Sequence, residues 1–347
     1  MKIYFSDYFD VNKEYIEEYG AFNISLVSDL PLFIDPFLLF NSKNKEYKKL
    51  HDDIVNYLVF LKDKSTTSSL NDGALKAWYV FKEVQQNWFG FSSRGNKGHA
   101  LGKDFGRALN ENLNKIFNEF GSERVSSGSH LEKLCLIKKG VGKDNISDFT
   151  TNLIKGFLLE YTQNFASKYI KKEFREKTRV QRVYFNYKTE SWEDADFDLP
   201  FYNGDFVILT PKELLTKDDT WINKDDLFKD FEKIPNSISD EELRFKINNY
   251  FQKCIPKNPK NKKRPTKKDR IGAAVLTVQE FPQLIDYYIK YKEDNGSAAE
   301  NLSSAKVALS QQIFIDNAKT FIDKLEKDGF YAVAGRSYEE AKNKIKF

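Results

Sequence analysis

Leu131-Glu-Lys-Leu-Cys-Leu-Ile137 is followed by Lys-Lys-Gly140-Val-Gly142-Lys143-Asp144-Asn-Ile-Ser147-Asp148, and this stretch sets the expected architecture of the chain. The dense apolar run reads as a buried strand. The glycines turn the backbone out of it, and Ser147 or Asp148 serves as the cap of a long helix running to about Lys171. Downstream, Val180 to Tyr187 and Phe206 to Leu209 read as strands separated by a turn-rich interval. Upstream, Ile24 to Val27 and Leu32 to Ile34 read as short strands, the second ended by Asp35-Pro36. Helical periodicity marks 45–63 and 74–86, with His51, Ile54, Leu58 and Leu61 on one face. A further helix, from about Lys103 to Phe120, follows the glycine-rich segment Gly90 to Gly102. Strands alternating with helices, without a series of hairpins, predict an α/β or α+β fold: a mixed sheet packed by helices.

The sharpest change of composition is Pro256-Lys-Asn-Pro-Lys-Asn-Lys-Lys-Arg-Pro-Thr-Lys-Lys-Asp-Arg270. Its three prolines forbid a continuous helix and its like charges repel. The expected division is a mixed α/β domain over 1–255, a basic linker or loop over 256–272, and a helical C-terminal region over 273–347. An amphipathic helix is expected from Asp240 to Cys254. Beyond the break, helices are expected near 276–293 and 299–328. Val307, Phe314, Ala318, Phe321 and Leu325 form a stripe along the second, suited to the protein's own core or to docking a partner or a second copy of the chain.

At 347 residues the chain is long enough for two domains or one large one. With 40% hydrophobic and 31% charged residues it belongs with folded rather than disordered chains. Thirty phenylalanines and 18 tyrosines imply a core built largely from ring packing. Two cysteines, Cys135 and Cys254, cannot make a disulfide scaffold and read as buried free thiols in a reducing compartment. With only three histidines, His51, His99 and His130, no paired Cys/His spacing suits zinc, and no Ser-His-Asp or Cys-His order emerges. His51 reads as a core histidine. The N-terminus carries charge too early for a signal peptide, and no apolar run reaches the length of a membrane span. The expectation is a cytoplasmic protein with no membrane partner.

Chemistry has four places to reside. At Gly140 to Asp148, a helix start with Lys143 favours anions, while Asp144 and Asp148 offer oxygen ligands to Mg2+ or Mn2+. That trio is the candidate catalytic set of a metal-dependent nuclease or phosphodiesterase, although helix capping explains the same residues. The Walker A pattern is absent, because Asp144 stands where Ser or Thr is required. The loop Arg94-Gly-Asn-Lys97-Gly-His99 offers phosphate-binding cations. Asp35 is a weaker metal-ligand candidate, better explained by its turn with Pro36. Leu209-Thr-Pro-Lys212 lacks the carboxylate of an acid-x-lysine nuclease strand. The basic run, with Lys262, Lys263, Arg264, Lys267, Lys268 and Arg270, suits salt-sensitive contact with DNA or RNA phosphates, but its lack of aromatics disfavours base stacking.

Three segments together resemble a known family: Leu32-Phe-Ile-Asp-Pro-Phe37; Gly140-Val-Gly-Lys-Asp-Asn-Ile-Ser-Asp-Phe-Thr-Thr-Asn152 with Tyr161-Thr-Gln163; and Phe206-Val-Ile-Leu-Thr-Pro-Lys212. The family is one of uncharacterised bacterial proteins found among genes suspected of defence against phage and other foreign DNA. The resemblance runs over most of the chain, down to Ser337-Tyr-Glu-Glu-Ala-Lys-Asn-Lys-Ile345. Longer members of that family continue into a nuclease domain of the PD-(D/E)XK kind. The resemblance therefore implies that the present residues form a recognition or regulatory part, and that any nuclease acts from a separate chain or has been removed; a nuclease or another defence protein is the expected partner. A non-catalytic nucleic-acid-binding sensor is the leading expectation, ahead of an enzyme and of an interaction scaffold.

Overall fold

A computed structural model describes residues 4–26, 29–67, 71–90, 102–116, 123–137, 142–217, 219–256 and 265–327. The elements run α1 (Phe5–Phe9), α2 (Lys13–Glu18), β1 (Phe33–Ile34), α3 (Pro36–Asn41), α4 (Lys45–Thr67) and α5 (Asp72–Ala74), then α6 (Lys103–Ile116) and α7 (Lys133–Ile137). They continue with α8 (Lys143–Leu153), α9 (Lys155–Tyr169), β2 (Arg175–Asn186), β3 (Ser191–Tyr202), β4 (Asp205–Phe206), β5 (Leu215–Thr216) and α10 (Lys224–Lys229). The described chain ends on α11 (Glu241–Cys254), α12 (Lys267–Glu280), α13 (Leu284–Asp294) and α14 (Gly296–Lys327). The class is α+β: two small antiparallel sheets, β1-β5 and β2-β3-β4, packed by helices and followed by a helical C-terminal part.

Two apolar clusters hold these elements. The first is aromatic, with Tyr57, Phe81, Phe149 and Phe165 packed among Leu158, Phe197 and Leu199 from α9 and β3. The second gathers Ile222, Leu227, Ile234, Ile247, Leu284 and Tyr288. It also takes in Phe37, Leu38 and Leu136 from the early chain, so α3 and α7 are the staples between the two clusters.

Several expected elements take a different form. Leu131 to Ile137 is not a strand: Lys133, Leu134 and Cys135 donate their amides to the carbonyls three residues back, and α7 follows. Leu131, Glu132, Leu134, Cys135 and Leu136 are all buried, so the run lacks the alternation that separates a strand from a buried turn of helix. The helix beyond it starts earlier than Ser147, on Gly142, whose amide donates to Asn145 Oδ1. Ser147 Oγ instead accepts the Ile34 amide at 2.9 Å, and the helix is interrupted at Ile154 between α8 and α9. Residues 75–79 form one π-helical turn rather than part of an α-helix. Residues 276–293 divide at Pro282 into α12 and α13. Of the strand expected over 24–27, Ser25 makes an isolated bridge to Tyr4, and Val27 lies outside the described residues.

The turn-rich interval after β2 is in fact β3. Its apolar residues Ala195, Phe197 and Leu199 pack against the first core, while Asp196 and Asp198 point to Arg179 and Arg175 on β2 at 3.2 and 2.9 Å. Opposite charges across the strands thus offset a composition that disfavours strands.

Where β2 crosses Asp194 it bulges, with the register shifting between Val180 and Tyr184. Arg182 sits there at φ 55°, its amide donating to Asp194 Oδ1. The left-handed backbone aims its guanidinium at the end of the π-helical turn, where it donates to Ala77 O at 2.7 Å and Val80 O at 3.0 Å. The same group lies over the rings of Phe81 and Trp192. Replacing Arg182 with Met keeps the stem but leaves these carbonyls unpaired. The expected cost is about 2 kcal/mol, read as a lower urea midpoint at unchanged slope; an unchanged midpoint would show that the bulge carries no stability.

Candidate functional site

The site begins with Asp35. The sequence Ile34-Asp35-Pro36 ends β1 and starts α3, and Pro36 at the first helical position makes Asp35 the cap. Its Oδ1 accepts the Phe37 amide at 3.0 Å, and its Oδ2 accepts the Trp221 amide, 186 residues away, at 2.7 Å. The carboxylate is 1% exposed. Burial raises its pKa to about 6, against the lowering effect of the two amide bonds.

Glu132, on the turn before α7, lies against Asp35 and is fully buried. Among the described residues neither of its carboxylate oxygens has a donor in good hydrogen-bond geometry, although the Phe37 amide and the Asp35 carboxyl stand close enough to act on it. Burial, then the charge of Asp35, holds it well above the usual carboxylate range. Burial raises both carboxyls, and Asp35, bonded by the Phe37 and Trp221 amides, holds the negative charge more readily than Glu132.

A cavity of about 440 Å³ opens above Asp35. Asp219, Asp225 and Asp226 line it with Thr216, Thr220 and Trp221, while Lys229, Lys267 and Lys306 stand around it. Burial raises the Asp219 carboxyl. Burial acts on Asp226 in the same sense, but the Lys292 ammonium at 2.6 Å outweighs it and holds that carboxyl below its usual value. Lys292 is 3% exposed, lies 4.2 Å from the centre of the Trp221 ring, and accepts the indole N–H on its own carbonyl. An ammonium, a carboxylate and an aromatic face are thereby fixed together beside the cavity.

The residues expected to carry chemistry divide. Lys143 is drawn toward this region: its ammonium lies over the Phe33 ring at 4.8 Å and acts on Asp219. Asp144 and Asp148 do not line the cavity. Burial, then the charges of Glu83 and Asp144, raises Asp148 to about 7. Among the described residues, no group of three His, Cys, Asp or Glu side chains is placed to hold a metal ion. Lys267 and Lys268 are exposed at the start of α12, and Arg270 is engaged by Glu232. Arg94, Lys97, Lys262, Lys263 and Arg264 lie outside the described residues. Cys135 is buried and Cys254 half-buried, both as free thiols. His51 is a core histidine, pushed down to about 3 by burial, then by His130.

Sequence reading passes over Glu132, Asp219, Trp221, Asp226, Lys292 and the contact between His51 and His130, whose rings lie 5.6 Å apart. Two of these leave a signal. Glu132 is a lone acid in an apolar run, and Lys292 falls on the buried stripe Leu284, Ile285, Tyr288 and Ile289 of α13. A charge at a core position calls for a buried partner.

The unequal roles of the two acids can be checked by pH. Both carboxyls bind protons more tightly folded than unfolded, so stability falls as pH rises from about 4 through their raised values. Glu132→Gln keeps the neutral form and is expected to flatten this decline, gaining on the wild type as pH rises, in urea titrations. Asp35→Asn places an amide N–H against one of two backbone donors and should cost about 2 kcal/mol or more at neutral pH. Equal effects of the two substitutions would refute the assignment.

No curated protein and no solved structure is detectably similar to the chain. A family model described as a domain of unknown function (DUF8370) matches residues 10–223. The matched span contains Asp35, Glu132, Asp219 and Trp221, whereas Asp226 and Lys292 follow it. Because the match takes in more than half of the sequence, including the acids of the cavity floor, the chain belongs to the DUF8370 family.

Proposed function

We propose that the chain is a nucleic-acid-binding sensor or regulatory module of a bacterial system of defence against phage and other foreign DNA, working alongside a nuclease. One observation carries the binding part of this reading. The basic run leads directly into α12, whose first residue, Lys267, lines the 440 Å³ cavity with Lys229 and Lys306. Lys267, a residue of that run, together with Lys229 and Lys306, offers cations suited to phosphates at a polar cleft. The acids inside would repel phosphate but accept hydrogen bonds from the amino groups of base edges, and Trp221 offers a ring beside them. Base edges are open to such a cleft in single strands, which makes single-stranded DNA or RNA the favoured ligand. The defence setting and the accompanying nuclease rest on the resemblance of the motifs around Asp35, Lys143 and Lys212.

A metal-dependent phosphodiesterase using Mg2+ or Mn2+ at Asp144 and Asp148 is the second reading. It is favoured by Asp144 and Asp148 standing one turn apart on α8, with Lys143 at the helix start to stabilise the developing phosphate charge. It ranks second because the described residues supply no three-ligand group.

Fluorescence anisotropy with labelled single and double strands of DNA and RNA, with and without Mg2+ or Mn2+, tests both. Affinity for single strands is expected to fall by orders of magnitude between about 50 and 200 mM salt. Lys229→Gln, Lys267→Gln and Lys306→Gln together should reduce the logarithmic salt slope by about 0.7 for every phosphate that is no longer neutralised. Salt-insensitive binding, or none, would overturn the proposal. Metal-dependent cleavage abolished by Asp148→Asn would promote the second reading.

A further inference from the structure

A second cavity, of about 350 Å³, lies between α4, α9 and the β2-β3 hairpin and shares no lining residue with the cleft above Asp35. Its walls are the rings of Tyr57, Phe157, Tyr184, Phe185, Tyr187 and Trp192. Tyr184 and Tyr187 are 40% and 48% exposed, a large apolar area to leave in water. The ring of Tyr184 lies flat on α9 because position 156 is glycine; a Cβ there would come within 2.3 Å of it. Its hydroxyl donates to the Glu160 carboxylate. Around these rings stand Glu46, Asp53 and Glu160, and the lining holds one lysine, Lys49, which already bonds Asp53 at 3.2 Å.

Charge decides what such a groove accepts. Exposed rings alone would suit the bases of a single strand, but three carboxylates repel its phosphates. An organic cation gains twice, from the ring faces and from the carboxylates. The neighbouring rings already show this preference within the molecule: Arg182 lies over Phe81 and Trp192, and Lys64 over Phe60 and Trp78. Among biological cations the guanidinium fits best, because its flat face stacks on a ring while its edge donates two parallel bonds to a carboxylate.

We propose that this groove docks an arginine-bearing basic segment of a partner protein, with the guanidinium stacked on Tyr184 or Tyr187 and bonded to Glu160 or Glu46. The interaction is independent of nucleic-acid binding at the cleft beside α12.

Calorimetric titration of the full chain with a short Gly/Arg peptide and its Gly/Lys counterpart provides the test. The arginine peptide is expected to bind several-fold more tightly than the lysine peptide. Glu46→Gln with Glu160→Gln should weaken it about ten-fold, which corresponds to ~1.4 kcal/mol. Tyr187→Ala removes a ring face at the exposed end of the hairpin and should weaken it comparably, with thermal unfolding used to confirm that each variant is folded. Absence of binding, equal affinity for the two peptides, indifference to both variants, or displacement of the peptide by tetramethylammonium at equal concentration would each overturn the proposal.

Discussion

The carboxylate of Asp35 is the constraint on which the arrangement of the two cores turns. It caps α3 through the Phe37 amide and reaches the Trp221 amide with its other oxygen. Phe37 and Leu38 then enter the second core, while Leu32 and Ile34, just before the cap, belong to the first. A buried charge with two amide donors tolerates little displacement, because losing either bond leaves an uncompensated group away from water. The position of Asp35 thus fixes where the chain crosses from one core to the other, and the same carboxylate forms the floor of the cleft. A structural cap and a site residue are one and the same here.

Other polar contacts cross the same boundary and share its character. Glu293 accepts the amides of Ser127 and Gly128 and bonds His130 Nε2, all within 3 Å. Lys133 bonds Asp286 at 2.5 Å. Pairs of this kind repay their desolvation only when the geometry is good, so they specify one docking of the C-terminal helices more than they add to stability. Gly128 belongs to the same fit: the ring of Phe40 fills the space a side chain would need. The cleft inherits this order, since Asp226 and Lys292 on the second core meet Asp35 where the chain crosses from the first.

The sequence announces helices better than strands. The amphipathic stretch capped by Asp240 is α11, with the amides of Glu242 and Leu243 bonded to that aspartate, and the long C-terminal stripe is α14. β3 is hidden because its outward positions are aspartates, which usually mark turns; only their arginine partners on β2 make them acceptable in a strand. α7 is hidden for the opposite reason, since a run buried on every side has no period to read. For the site, Asp35 is visible as a strand end and Lys143 as a helix start, but their relation is not. Trp221, Asp226 and Lys292 reach Asp35 through tertiary packing, which no local pattern encodes. The acid pair of Asp144 and Asp148 shows the converse, a local grouping that takes no part in the cleft lining.

The antiparallel pairing of β1 with β5 has a consequence for the order in which the molecule assembles. Phe33 finds Thr216, and Ile34 finds Leu215, only after nearly the whole first core has been synthesised. Ser303 on α14 then bonds the carbonyl of Leu215 from outside, and Val307 enters the first core. Closing such long loops costs entropy before any contact rewards it. On the ribosome the edge of β1 therefore stays unpaired until β5 emerges, and the first core gains Val307 only when α14 follows. Chaperone protection during that interval matters more for this chain than for one whose first core closes on itself.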